Sequence, residues 1–187
     1  MRLCSADGGE SWTHQQTGTS GSQRAVTFGH GVFVAVGETH KGKGLISLST
    51  DGQTWREALI TDAPLIAATF GNGRFVCIDG KGIAYVSTNG EQWTQHLIEV
   101  NGPVEMLRYV NGSFLARSNC RSYLWSIDGQ EWFKEEAFLP QSIVYGNAKY
   151  LGLSNDGYLF SATIMDTWSQ SNGAILRFTS LAHRGLP

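Results

Sequence analysis

The stretch Ser49-Thr50-Asp51-Gly52-Gln53-Thr54-Trp55 recurs along the chain with small changes. It returns as Ser87-Thr88-Asn89-Gly90-Glu91-Gln92-Trp93 and as Ser126-Ile127-Asp128-Gly129-Gln130-Glu131-Trp132. A copy one residue longer, Ser5-Ala6-Asp7-Gly8-Gly9-Glu10-Ser11-Trp12, opens the sequence. A worn one, Ser161-Ala162-Thr163-Ile164-Met165-Asp166-Thr167-Trp168, closes the series. The five tryptophans stand 43, 38, 39 and 36 residues apart, the length of one four-stranded unit in a repeat architecture.

Each copy follows an apolar, β-rich run such as Leu45-Ile46-Ser47-Leu48 or Ile83-Ala84-Tyr85-Val86, and another extended run starts at its Trp. The motif therefore reads as a hairpin connection. Asp-Gly and Asn-Gly supply the positive backbone torsions of tight turns. The Asp or Asn side chain accepts hydrogen bonds from backbone N–H groups just ahead, and the Ser joins that network. The Trp packs under the turn with its N–H available to a carbonyl. The rival reading makes Asp7, Asp51 and Asp128 catalytic carboxylates or calcium ligands. Acid–base work needs two carboxylates at one point, whereas one per repeat spreads them around a ring. Asn89 and Thr163 at equivalent positions would break such a role and keep a turn.

Ser-x-Asp-Gly-x-x-Trp, with the longer form at residues 5–12, resembles the Asp-box, or bacterial neuraminidase repeat. The residues that carry the resemblance are Ser5, Asp7, Trp12, Ser49, Asp51, Trp55, Ser87, Asn89, Trp93, Ser126, Asp128, Trp132 and Trp168. The resemblance implies a β-propeller, with the motif between the third and fourth strands of each blade. It does not imply one activity, since sialidases, other glycosidases, sorting receptors and photosystem assembly factors all carry the motif, and a fold does not fix a function. A sialidase would also carry an arginine triad, an early Arg-Ile-Pro-like segment and a Tyr/Glu pair. The sequence has no Arg-Ile-Pro; Arg24, Arg108 and Arg177 fall on or beside inner strands, and Glu105 is the only carboxylate in such a region. No catalytic residue is expected.

Four whole units are expected, over residues 25–60, 65–100, 104–138 and 142–173, in an all-β propeller of four-stranded antiparallel blades. Their first hairpins turn at Gly29-His30-Gly31, Asn72-Gly73 and Asn111-Gly112. Residues 1–16 and 174–187 then form a composite fifth blade that closes the ring, giving one domain over 1–187. Phe28, Phe70, Tyr109, Tyr145 and Phe178 end the inner strands and are expected to pack between blades. The alternatives are a fragment of a larger propeller, or a homodimer if the ring does not close within one chain, because open edges and apolar faces invite pairing.

A net charge of −2 in 187 residues gives no polycationic pull towards nucleic acid or anionic membrane. No apolar run approaches the roughly 18 residues of a membrane span, and Met1-Arg2-Leu3-Cys4 leads directly into the first motif. As written, the chain is expected in the cytosol. Cys4, Cys77 and Cys120 show no Cys-x-x-Cys spacing; Cys77 reads as a small buried hydrophobe and Cys120, beside Arg121, as an ordinary thiol. His14, His30, His40, His96 and His183 lack metal-ligand spacing, and neither metal nor cofactor is expected. Asn111-Gly112-Ser113 fits a glycosylation sequon but is already explained as a turn.

Gly37-Glu38-Thr39-His40-Lys41-Gly42-Lys43 matches the front of a phosphate-binding loop. Gly44 follows where Ser or Thr is needed, and the segment joins two strands instead of opening a helix. It is better read as a charged surface loop. Because hairpins alternate ends, the Asp-box turns and first hairpin turns share one face of the disc. The second-to-third strand loops and blade connections occupy the other. Loops on a rigid scaffold are where binding concentrates. A glycan or protein partner is therefore expected on that second face or at the channel mouth, at His40, Lys41, Lys43, Arg108, Arg121 and Arg177. The competing function is a sialidase-like glycoside hydrolase, or a diverged remnant of one.

Overall fold

The computed structural model describes residues 2–5, 7–15, 21–99, 102–119, 122–165 and 168–170. Among these the chain is all-β. Strands β1 (Arg2–Cys4) and β2 (Thr13–Gln15) pair across the first motif. Blade one is β3 (Ser22–Gly29), β4 (Val32–Glu38), β5 (Gly44–Ser49) and β6 (Arg56–Thr61). Blade two is β7 (Leu65–Gly71), β8 (Arg74–Asp79), β9 (Ile83–Ser87) and β10 (Thr94–Leu97). Blade three is β11 (Met106–Val110), β12 (Ser113–Asn119), β13 (Ser122–Ser126) and β14 (Phe133–Glu135). Blade four is β15 (Ser142–Gly146), β16 (Lys149–Leu153), β17 (Leu159–Ala162) and β18 (Ser169–Gln170). Every neighbouring pair is antiparallel and follows sequence order.

The first hairpins of blades one to three turn with positive φ at both central residues: His30 48° and Gly31 77°, Asn72 48° and Gly73 71°, Asn111 47° and Gly112 86°. Such turns match the right-handed twist of the flanking strands. Blade four makes the same turn with Asn147 at 51° and Ala148 at 57°, so an alanine holds the left-handed conformation that glycine usually supplies.

The core lies between sheets. Val34, Val36, Ile46 and Leu48 pack against Leu65, Phe75, Cys77 and Tyr85. Val76, Ile78, Ala84 and Val86 meet Leu107, Phe114, Ala116 and Leu124. Met106, Val110, Leu115 and Tyr123 meet Ile143, Tyr150 and Ala162. Strands β4, β5, β8 and β9 are buried on both faces, which is why they read as continuous apolar runs and not as alternation. Cys77 is fully buried, and burial pushes its thiol pKa far up.

The inner strands meet at a repeated contact. A Cβ on Gly29, the last residue of β3, would come within 2.3 Å of the ring of Phe70, and one on Gly71 within 2.0 Å of the ring of Tyr109. Each glycine thus seats the aromatic of the following blade. Blade three carries Val110 at the corresponding place, and β11 approaches β15 less closely than β3 approaches β7 or β7 approaches β11. Phe28 stands at the first of these places, next to the composite blade expected over 1–16 and 174–187. Its side chain is 54% exposed and packs on Phe33 of its own blade, with ring centroids 4.5 Å apart. Phe178 and Cys120 lie outside the described residues, as does the 174–187 part of the composite blade.

Candidate functional site

The recurring turns share one hydrogen-bond plan. Ser Oγ accepts the glycine N–H at 2.7 Å from Gly9 to Ser5, 2.8 Å from Gly52 to Ser49, 2.8 Å from Gly90 to Ser87 and 2.7 Å from Gly129 to Ser126. Asp51 Oδ1 accepts the N–H groups of Gln53 and Thr54, Asn89 Oδ1 those of Glu91 and Gln92, and Asp128 Oδ1 those of Gln130 and Glu131. Each Trp Nε1–H donates to a glycine carbonyl: Trp12 to Gly9, Trp55 to Gly52, Trp93 to Gly90, Trp132 to Gly129. Trp168 of the worn copy has Met165 where the others have glycine, and its buried Nε1 finds no acceptor among the described residues.

Charge is fixed along with shape. Asp7 is held far below the usual carboxylate range by the hydroxyl and N–H of Ser11 and by Ser5. Asp51 is lowered to about 2 by the N–H groups of Thr54 and Gln53 and by Ser49. For Asp128 burial works upward, but the N–H groups of Gln130 and Glu131, the Ser126 hydroxyl and the Arg74 charge together lower it. A carboxylate held ionised by its own turn is a poor proton carrier near neutral pH.

The turns of successive blades touch. His30 Nε2 lies 3.3 Å from the Gly73 carbonyl, Asn72 Nδ2 donates to Ile127 O at 3.1 Å, and Arg74 Nη1 donates to Asp128 O at 3.2 Å. First hairpins and motif turns therefore occupy one face.

The loops at the other strand ends are built differently. In the 39–43 loop the Thr39 N–H donates to Lys43 O at 2.7 Å and Gly42 N–H to Thr39 O at 3.0 Å. Thr39 Oγ1 accepts the N–H groups of Lys41 and Lys43. The loop is closed on itself, with His40 and Lys41 exposed and Lys43 Nζ 3.2 Å from Asp62 Oδ1. In the next blade Asp79, 1% exposed, accepts the N–H groups of Lys81 and Ile83 and the hydroxyl of Tyr85. Burial, and then Asp79, push the Tyr85 pKa up.

Of the residues singled out from sequence, His40, Lys41 and Lys43 share this loop. Arg108 is exposed in the middle of β11, and no described contact joins it to them. Arg121 and Arg177 lie outside the described residues. Glu105, which lies just before β11 and not within it, is engaged by Arg117, a residue the sequence reading passed over. Arg117 is 4% exposed; its Nη2 is 3.3 Å from Glu105 Oε2, and its Nη1 donates to Leu139 O at 3.1 Å. The only sequence signal was an arginine directly after the apolar run Phe114-Leu115-Ala116.

No family model matches the chain, and no curated protein matches it significantly. Solved structures do. A catalytically inactive virginiamycin B lyase from Staphylococcus aureus with quinupristin is similar at 12% identity and TM-score 0.68, over 95% of this chain and 65% of that one. YCF48 bound to D1 peptide is similar at 16% identity and TM-score 0.64, over 88% and 58%. The WD40 β-propeller domain of Doa1 is similar at 13% identity and TM-score 0.60, over 86% and 56%. At such identities the likeness establishes the β-propeller fold and no more. The chain spans between 56% and 65% of the length of these structures.

Proposed function

We propose that this chain is a non-catalytic binding module of Asp-box repeats, folded as one domain, whose ring is completed by residues 1–16 together with 174–187. Its partner is an acidic segment of a protein, taken up on the face that carries the 39–43 loop. The observation that carries this reading is the loop itself. Thr39 fixes its backbone through four hydrogen bonds, so His40 and Lys41 are presented without the ordering cost of a flexible loop. The motif carboxylates Asp7, Asp51 and Asp128 are by contrast committed to their own turns, each in a different turn. A neighbouring propeller whose structure holds a bound peptide supports a protein partner, and a glycan is the competing ligand.

The test is anisotropy of a fluorescein-labelled glutamate-rich peptide, set beside sialylated and neutral oligosaccharides. K41E/K43E should abolish peptide binding, while E131K on the turn face should leave it intact. Equal effects of the two would overturn the assignment of the face. Hydrolysis of a fluorogenic sialoside would overturn the non-catalytic reading. Light scattering should give a concentration-independent mass near 20.4 kDa; a stable dimer would place ring closure between chains.

A further inference from the structure

The connections between second and third strands carry a repeat of their own. It is Thr39-His40-Lys41-Gly42-Lys43 in blade one, Asp79-Gly80-Lys81-Gly82-Ile83 in blade two and Ser154-Asn155-Asp156-Gly157-Tyr158 in blade four. The first side chain of each accepts the N–H four residues on: Lys43 to Thr39 at 3.2 Å, Ile83 to Asp79 at 2.9 Å and Tyr158 to Ser154 at 3.1 Å. The glycine N–H donates to the first carbonyl at 3.0, 3.4 and 3.0 Å. In blades one and two the same side chain also accepts the N–H of the third residue, Lys41 at 3.3 Å and Lys81 at 2.8 Å. One frame thus presents a different side chain in each blade.

Charge varies at the third place. Lys41 and Lys81 hold it in blades one and two, Asp156 in blade four, and all three are exposed. Neither lysine makes an ion pair among the described residues, whereas Lys43 is engaged by Asp62. The Ile98 N–H donates to Gly82 O at 2.9 Å, which brings the exposed Glu99 to this end of blade two, and Glu99 makes no ion pair with Lys81. Blades one and two are neighbours that share a core. Two ammonium groups therefore stand at equivalent points of adjacent blades, each on a backbone fixed by the side chain two residues before it.

We infer that Lys41 and Lys81 are two anchors of one site, and that the acidic partner segment crosses from blade one to blade two with a carboxylate group for each. This rests on the reading that an acidic segment binds the face of the 39–43 loop. It adds a second contact, a path, and a requirement on the partner: acidic residues in two groups, set apart by the interval between the blades. An exposed ion pair is weak alone. Two on one chain reinforce each other when the spacer lets both form, because the second meets its partner at a raised effective concentration. Loops that are already ordered keep the interval constant, so the spacer is selected. Asp156 puts the opposite charge on the same frame and keeps such a segment off blade four.

The probes are fluorescein-labelled peptides that carry two Glu-Glu pairs joined by Gly-Ser spacers of increasing length, beside one with a single pair, followed by anisotropy at low salt. Affinity across the two-pair series should pass through a maximum with spacer length. The best peptide should bind about fivefold more tightly than the single pair, the upper end for one added exposed ion pair. K81Q should erase the maximum and bring the series down to the single-pair affinity, as should K41Q; the loops keep their form because their hydrogen bonds use the lysine N–H and not the ammonium. D156N, in the same frame outside the path, should leave the maximum in place. A series flat in spacer length, or a maximum that survives K81Q, would overturn the second anchor and leave the reading of the face standing. A maximum that D156N also removes would overturn the path. No binding of any acidic peptide would overturn both the site and the reading on which it rests.

Discussion

Asn89 holds in the second turn the place that Asp51 and Asp128 hold in the first and third, and the exchange separates two properties of that side chain. All three accept two backbone N–H groups through Oδ1; only the acids titrate. The pKa of Asp51 falls from 3.8 to about 2 on folding. Its contribution to stability is therefore complete above pH 3.8 and is lost as pH falls through about 2. D51N should flatten this part of the acid limb and keep the turn, read as urea midpoints between pH ~5 and ~2. A D51N protein with the same acid limb as the parent would sink the account. The serine is a second residue-scale determinant. Ser126 Oγ, wholly buried, accepts the N–H of buried Gly129. S126A should cost about 1–3 kcal/mol, the penalty of a buried donor left unpaired, measured by urea unfolding. The same change at the exposed turn, S5A, should cost less than about 0.5 kcal/mol.

Strands and hairpins were legible where the chain marks its corners with Asn-Gly, Asp-Gly or Gly-His-Gly, because those pairs carry positive φ cheaply. The fourth first-hairpin escaped notice because Ala148 bears φ 57° and alanine carries no such mark. Arg117 escaped for a related reason: whether an arginine at the end of an apolar run is buried depends on Leu139 and Glu105, distant in sequence. The seating of aromatics on glycines was half legible. The aromatic row stood out, but the glycine beside it looked like part of a turn. Its packing role gives a prediction at this scale. G71A should destabilise by about 1–3 kcal/mol through overpacking against Tyr109, and Y109L in the same chain should recover much of that loss. Additive losses in the double variant would show that ring and glycine do not meet.

Across the molecule the coupling between blades is uneven. Inner strands come close where glycine receives an aromatic, at Gly29 with Phe70 and at Gly71 with Tyr109, and stay further apart where Val110 stands instead. Blade four should therefore open at a lower free energy than blades one to three. Native-state hydrogen exchange of the β16 and β12 amides checks this, since local opening follows the density of buried contacts; equal protection would contradict it. The propeller itself could be read from the spacing of five tryptophans, whereas the ligand could not, because a repeat records what every blade must share and a binding site is what one blade does differently. The glycine-to-aromatic contact also has a direction, and so a consequence for how such a chain can lengthen. Blade two carries both halves, Phe70 for the blade before it and Gly71 for the blade after. A tandem copy of it would meet its parent with a matched joint. A tandem copy of blade three would bring Tyr109 against Val110, repeating the looser joint that Tyr145 of blade four already makes there, so duplication would add a close joint at one point of this chain and a loose one at the next.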